Sequence, residues 1–405
     1  MQCGLLGRNL SHSFSPQIHM LLGEYSYQLW EIEPDQLPAF LSGNNFNALN
    51  VTVPYKKAVL PYCDQLSPLA QKIGAVNTIV RNYDGELIGY NTDYYGFTYM
   101  LQVSKLNVSH KKVLVLGSGG ASATVCAALR NQNANVVIVS RSGSNHYGNL
   151  YLHSDTSVIV NTTPVGMFPN NGESLLDLAR FPQLEGVLDL IYNPLRTQLL
   201  MDAENKGIVA LNGLWMLIAQ AKAAAELFTG HPIDDAIIPR IYNTLLKKMK
   251  NLILVGMPGS GKSTVGKLYA QSHGLSFVDS DSEIEKIIGI SILEYIDNFG
   301  ETSFRRLESR VLEDLSKHSG YVIATGGGCV TNADNYRFLH QNGNICWLQR
   351  DLSLLSTQGR PLSIQYGVQQ LFNNRKELYE RFSDYTVSNN HDLESTILQI
   401  EQMEN

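Results

Sequence analysis

Two glycine-rich stretches and one lysine could do chemistry in this chain. Residues 256–263 read Gly-Met-Pro-Gly-Ser-Gly-Lys-Ser, the G-x-x-x-x-G-K-S spacing of a phosphate loop. In that pattern the backbone N–H groups of Gly259, Ser260 and Gly261 curl around phosphates and Lys262 reaches the outer ones. Ser263 holds Mg²⁺, and Thr264 opens the following helix. A second stretch, Gly117-Ser118-Gly119-Gly120-Ala121-Ser122, fills the three positions of G-x-G-x-x-G with Gly, Gly and Ser. It predicts a pyrophosphate resting on a helix N-terminus. About 20 residues on, where an acid would bind the ribose hydroxyl of NAD, Arg141 stands, which suits the 2′-phosphate of NADP. Upstream, Lys56 sits in Asn50-Val51-Thr52-Val53-Pro54-Tyr55-Lys56 and Asp93 ends Asn91-Thr92-Asp93. A lysine beside a carboxylate can give a proton to a reacting oxygen.

The elements needed to position these groups are legible around them. Leu252-Ile253-Leu254-Val255 is an apolar strand before the phosphate loop, and Thr264 to Ala270 has a helical pattern. Lys112 to Leu116 is a buried strand, followed by the glycine turn, an Ala-rich helix to Leu129 and a strand Val136 to Val139, which together make a βαβ unit. Val158–Val160 and Gly186–Leu190 read as further strands, with helices over Gly213–Phe228 and Asp234–Lys248. The fold class is α/β throughout. A phosphate loop follows the first strand of its own fold, so residue 251 opens a new domain.

Bulk properties bound the function. The chain has 405 residues, too many for one core, with 44% hydrophobic and 17% charged residues. A net charge of −6 gives no reason to expect a nucleic-acid partner. Lys247, Lys248 and Lys250 read as a solvated helix end. No apolar run approaches the roughly 20 residues of a membrane span. The N-terminus lacks the pattern of a signal peptide. Five scattered cysteines without C-x-x-C fit a reduced, cytoplasmic chain and argue against a zinc site.

The first half carries an ordered set of further motifs: Ser11-His12-Ser13-Phe14-Ser15-Pro16, Gly74-Ala75-Val76-Asn77-Thr78, Asn161-Thr162-Thr163-Pro164-Val165-Gly166-Met167, Asp189-Leu190-Ile191-Tyr192-Asn193-Pro194 and Gly213-Leu214-Trp215-Met216-Leu217-Ile218-Ala219-Gln220. With the segments around Lys56 and Asp93, they resemble shikimate dehydrogenase over most of residues 1–245. The resemblance implies reduction of 3-dehydroshikimate with NADPH, with Lys56 and Asp93 as the catalytic pair. Ser13 and Ser15 would bind the substrate carboxylate, and Thr52, Asn77 and Gln220 the ring hydroxyls, with Tyr192 nearby. Gly117 to Ala121 would hold the pyrophosphate, and Leu190 and Gly213 would lie near the nicotinamide. The family's Asn-Arg-Thr cofactor motif is Ser140-Arg141-Ser142 here, and the stretch Gly143 to Val158 is shorter than the usual segment, which holds a helix.

The second half adds Phe277-Val278-Asp279-Ser280-Asp281, Phe304-Arg305-Arg306-Leu307-Glu308, Ala324-Thr325-Gly326-Gly327-Gly328, Gly359-Arg360-Pro361-Leu362 and Arg375-Lys376-Glu377-Leu378-Tyr379. In this order they resemble shikimate kinase across residues 251–385. The resemblance implies that Asp281 binds and activates the acceptor hydroxyl and that Asp279 supports Mg²⁺ with Ser263. Arg305 and Arg375 would clamp the shikimate carboxylate beside Gly327, and Arg360 would reach the ATP phosphates from a lid. That lid, with only Leu352 to Gly359 before Arg360, is short and poor in bases. The expected division is a substrate domain over 1–92 plus 210–248, an NADP domain over 93–209 and a phosphate-loop domain over 251–405. The leading expectation is a bifunctional enzyme using NADP(H), ATP and Mg²⁺ on small-molecule substrates. A regulatory or binding protein descended from such enzymes, or quinate as a further substrate, are the alternatives.

Overall fold

The computed structural model describes residues 1–10, 13–355 and 367–404. It divides into two compact units. The first comprises Met1–Val165, Ser174–Tyr192 and Leu199–Thr244, and the second Gly166–Glu173, Asn193–Gln198 and Leu245–Asn405.

The first unit holds two sheets. Strands β1 (Gln2–Gly7), β2 (Ser26–Glu31), β3 (Ala48–Val51), β4 (Gln65–Leu66), β5 (Thr78–Arg81) and β6 (Leu87–Tyr90) form a mixed sheet in the order β2-β1-β3-β5-β6-β4. The β1–β2 and β1–β3 pairs are parallel, and β5 runs antiparallel to both of its neighbours. Strands β7 (Lys112–Leu116), β8 (Asn135–Val139), β9 (Val158–Asn161), β10 (Gly186–Asp189) and β11 (Val209–Leu211) form an all-parallel sheet, β11-β10-β9-β7-β8. Its inner strands β7, β9 and β10 are mainly apolar runs because both of their faces are covered. Val113 and Val115 join one core with Phe97, Val125 and Leu129, while Leu114 and Leu116 join the opposite core with Ile159, Phe181 and Leu199. That split follows the two-residue alternation of a strand.

The second unit repeats the design. Strands β12 (Asn251–Val255), β13 (Ser276–Asp279), β14 (Tyr321–Ala324), β15 (Gly343–Gln349) and β16 (Tyr385–Ser388) make a parallel sheet, β13-β14-β12-β15-β16. Ile253 and Val255 face one core and Leu252 and Leu254 the other. In both parallel sheets the glycine-rich turn leaves the strand at which chain order reverses, β7 or β12. Ligands of open α/β sheets lie at the carboxyl end of that strand.

The helices run close to the expected spans: Leu214–Thr229, Ile237–Met249 and Lys262–His273. The short segment before β9 holds a helical turn, Tyr147–His153, in place of a full helix. One surface expectation is corrected. Lys250 is no solvated helix end, since its Nζ lies 2.9 Å from a carboxylate oxygen of Glu404 and both side chains are largely covered. Among the described residues no helix is long and apolar enough to cross a membrane.

Candidate active sites

In the first unit, Lys56 Nζ lies 2.6 Å from Asp93 Oδ2, and their side chains are 18% and 7% exposed. Asp93 is the first residue of the helix Asp93–Ser104, which presents its carboxylate at the end of β6. The phosphate-binding turn lies beside the pair, with Lys56 Cβ 3.5 Å from where a side chain on Gly120 would start. Lys56 and the glycine turn are therefore neighbours.

A buried amide network builds the floor. Asn77 accepts the Thr92 backbone N–H at 2.6 Å, and its Nδ2 donates to Thr92 Oγ1 at 3.0 Å and to Gln220 Oε1 at 3.3 Å. Gln220 in turn donates to Leu217 O at 2.9 Å. Asn91 ties this floor to the helix after the turn, donating to Ala75 O at 2.9 Å and Thr124 Oγ1 at 3.2 Å. Ser13 Oγ donates to Ser15 Oγ at 3.1 Å and accepts the Ser15 N–H at 3.2 Å, so the two hydroxyls are held as a pair. Thr52 is fixed by its N–H to Leu6 O at 2.9 Å. Tyr192 packs edge-on against Phe14, with ring centroids 6.1 Å apart, and burial raises its phenol above the ordinary range.

The cofactor turn is built as a cradle. Gly117 has φ 106°, a region that favours glycine. Ser122, in the third motif position, donates from Oγ to Gly117 O at 2.7 Å and so closes the turn with a hydrogen bond. Gly119 faces open space where its side chain would be, leaving backbone approachable by a pyrophosphate along Ser118–Ala121. A side chain on Gly213 would strike the Leu190 carbonyl, so these two residues form one tight wall. Arg141 follows β8 as an exposed side chain near Tyr147, whose phenol burial raises above its ordinary range against the opposing pull of the Arg141 charge. These features fit a bound dinucleotide.

In the second unit, Gly256, Gly259 and Gly261 all take positive φ, which shapes the phosphate loop. Lys262 Nζ is turned back on that loop, donating to Gly256 O at 2.9 Å and Met257 O at 3.0 Å. Ser263 Oγ donates to Asp279 Oδ2 at 2.5 Å, while Asp279 Oδ1 caps the next helix by accepting from Asp281 N and Ser282 N. A hydroxyl and a carboxylate thus converge at the loop. That donor set fits Mg²⁺, which takes one or two protein oxygens and fills its shell from phosphate and water. No cluster of three or more His, Cys, Asp or Glu that could hold a metal occurs among the described residues.

The acceptor side is dominated by charge. Burial and then Asp279 push the Asp281 carboxyl up to about 6, against the opposing pull of Lys262 and Arg305. Its Oδ1 is buried without a hydrogen-bond partner among the described residues. Arg305 donates to Glu308 at 2.8 Å and to Glu301 at 2.9 Å. Arg375, 6% exposed, donates to Gly327 O at 3.1 Å, and Tyr379 OH donates to the same carbonyl. Gly326 separates Asp281 Oδ1 from Glu308 Oε1, each 2.6 Å from where its side chain would start. The predicted Asp281, Arg305, Gly327 and Arg375 therefore meet at one place. Arg360 lies outside the described residues.

Glu308 belongs to this site and sequence reasoning misses it. It is 1% exposed, and burial pushes it up to about 7 despite Arg305. The signal is present, because an acid three residues after Arg305 on a helix shares its face. Asn389, whose Nδ2 donates to Ser260 O at 2.7 Å, also escapes sequence reasoning.

Comparison with known proteins bears on both units. The shikimate dehydrogenase substrate binding domain model matches residues 5–79. A shikimate dehydrogenase (NADP(+)) of Clostridium perfringens is 34% identical over 264 residues, covering 60% of this chain and 97% of that protein. The chain belongs to the shikimate dehydrogenase family. The shikimate kinase family model matches residues 258–403, so this member carries a shikimate kinase domain after its dehydrogenase part. Among solved structures, a chorismate mutase/shikimate 5-dehydrogenase fusion protein from Clostridium acetobutylicum aligns at 36% identity and TM-score 0.57, over 60% of this chain and 96% of that one. Shikimate 5-dehydrogenase from Thermus thermophilus, in complex with NADP(H) and shikimate, aligns at 32% identity and TM-score 0.55, over 60% and 99%.

Proposed function

We propose that this chain is a bifunctional enzyme of the cytoplasm that makes shikimate 3-phosphate in two steps. The first unit reduces 3-dehydroshikimate to shikimate with NADPH, and the second phosphorylates shikimate with ATP. The Lys56–Asp93 pair, 2.6 Å apart beside the glycine turn, carries the reading. A proton donor at that point would lie within reach of a dinucleotide bound on the turn, and the kinase domain that follows accepts the alcohol this reduction would yield.

The chain's residues divide the work by chemistry. When bound, NADPH supplies the hydride, while ATP with Mg²⁺ supplies the phosphoryl group and charge neutralisation. Lys56 delivers a proton to the ketone oxygen, oriented by Asp93. Ser13 and Ser15 hold the carboxylate, Thr52, Asn77 and Gln220 the ring hydroxyls, and Tyr192 closes that side. In the second unit Asp281 accepts the hydroxyl proton, Arg305 and Arg375 clamp the carboxylate with planar guanidinium groups, and Lys262 draws charge from the phosphates. The division proposed is 1–92 plus 210–248, 93–209 and 251–405; each sheet falls in one part except that β11, Val209–Leu211, crosses the boundary at 209/210.

The test is incubation of the full chain with 3-dehydroshikimate, NADPH and Mg·ATP, with products resolved by mass. Shikimate 3-phosphate is expected, with one NADPH oxidised per ketone reduced. Its absence, under conditions where separate purified enzymes form it, would overturn the reading. A quinate dehydrogenase from Corynebacterium glutamicum in complex with NAD aligns at 27% identity, which makes quinate oxidation a second activity to assay beside shikimate.

A further inference from the structure

The second unit carries a cation at its phosphate loop that the mechanism above does not use. Arg350 follows β15 directly. The next residue, Asp351, exchanges hydrogen bonds with Asn390 at 2.8 and 2.9 Å, which ties the ends of β15 and β16 together. Asn389 reaches from that same end to Ser260 O at 2.7 Å. Both strand ends are thus pinned against the phosphate loop. In this corner Arg350 Nη1 lies 3.8 Å from where a side chain on Gly261 would start. Gly261 immediately precedes Lys262, and its φ of 96° shapes the turn that presents N–H groups to phosphate.

Arg350 is also unspent. Its Nε is buried and has no hydrogen-bond partner among the described residues. Buried donors are rarely left so, and an orphan one asks for an acceptor. A guanidinium offers donors only and is always charged, so the acceptor that suits it best is an anionic oxygen. It must also lie near the Gly261 end of the loop, where the phosphates of a nucleotide run.

We propose that Arg350 is a nucleotide-binding residue whose guanidinium grips the polyphosphate of ATP and ADP at the Gly261 end of the loop. The fork of N–H groups matches two phosphate oxygens at once, which an ammonium group cannot reproduce. The proposal rests on the reading of this unit as an ATP-dependent kinase.

The experiment uses the full chain and its Arg350→Ala and Arg350→Lys variants, titrated calorimetrically with Mg·ADP and with adenosine. Arg350→Ala is expected to weaken Mg·ADP by roughly tenfold or more, the scale of a charge-assisted hydrogen bond. Adenosine affinity should stay within about twofold, which also reports that the unit is folded, and Arg350→Lys should recover only part of the loss. The KM for ATP should rise with the loss of ADP affinity while the KM for shikimate holds. Unchanged ADP affinity in Arg350→Ala overturns the proposal, and an equal loss for adenosine moves the contact from phosphate to base and overturns it too. If the wild-type chain bound Mg·ADP but phosphorylated no shikimate, the kinase reading would fail while the ADP titration still decided Arg350.

Discussion

Replacing Lys56 with methionine tests the reductive half at its centre. Methionine keeps most of the apolar stem and removes the ammonium. Positioned general acids contribute roughly 10²- to 10⁴-fold to a rate, or about 2.7–5.5 kcal/mol of barrier, and a fall of that size in kcat is the expected result. The substitution also disturbs the fold. Asp93 is only 7% exposed and loses the partner 2.6 Å away. Stranding one member of a largely covered charge pair should cost about 1–3 kcal/mol of stability in the first unit. The double variant Lys56→Met/Asp93→Asn separates the two effects. It removes the stranded charge, so stability should recover toward wild type, whereas reduction of 3-dehydroshikimate should stay as slow as in the single variant. Shikimate phosphorylation, performed by the second unit of the same polypeptide, serves as the internal control and should change less than about twofold, because the sites share no residues. The assay is NADPH oxidation under saturating substrate, paired with thermal unfolding of each variant. A single variant that keeps kcat within about tenfold of wild type would refute the assignment of Lys56 as proton donor.

Four further outcomes follow from the same geometry. Glu308→Gln removes one of the two carboxyl partners of Arg305, leaving Glu301 as the other, and kcat/KM for shikimate in the kinase reaction should fall roughly 10- to 100-fold while the reductase is untouched. Asp281 is pushed up to about 6, and only its ionised form can accept a proton. Phosphorylation should therefore decline as pH falls through about 6, and a pH–rate profile flat down to about 5 would contradict its role as base. Arg141→Ala should raise the KM for NADPH by about tenfold with little change for NADH, measured by initial rates with each cofactor. The two proposed carboxylate sites differ in kind, neutral hydroxyls at Ser13 and Ser15 against the guanidinium groups of Arg305 and Arg375. Raising ionic strength should therefore raise the kinase KM for shikimate more than the dehydrogenase KM for the same compound.

What was legible in the sequence was what is written in consecutive residues. The strands Lys112–Leu116 and Leu252–Val255 announce themselves because each is buried on both faces and so reads as an unbroken apolar run. The two glycine turns follow directly, since the backbone that binds phosphate is fixed by which local positions tolerate positive φ, and Gly117, Gly256, Gly259 and Gly261 all show it. Short apolar strands joined by 12-residue helices also point to the sheet-and-helix class, because an unbroken apolar run gives way within a few residues to a 3.6-residue pattern.

What stayed hidden depends on pairs far apart in the chain. Asn77 meets Gln220 at a separation of 143 positions, and Arg375 meets Gly327 at 48. No local spacing encodes either contact, and only the tertiary fold brings them together. The same holds for the environments that tune the acids. Glu308 reads in sequence as one more charge on a helix rich in acids. Its 1% exposure arises because the helix Glu301–Lys317 packs over the Gly326–Gly328 turn, where a side chain on Gly326 would collide with it and with Asp281. The three glycines therefore do more than turn the chain. Having no side chain, Gly326 lets the Asp281 and Glu308 carboxylates close in and Gly328 lets the Arg305 guanidinium do so, while Gly327 leaves room for Pro258 of the phosphate loop; burial in this packing raises Asp281. The resemblance to shikimate kinase named Asp281, Arg305, Gly327 and Arg375 but not Glu308. The strength of each as acid, base or clamp comes from how closely the fold crowds them, which only the assembled tertiary structure expresses.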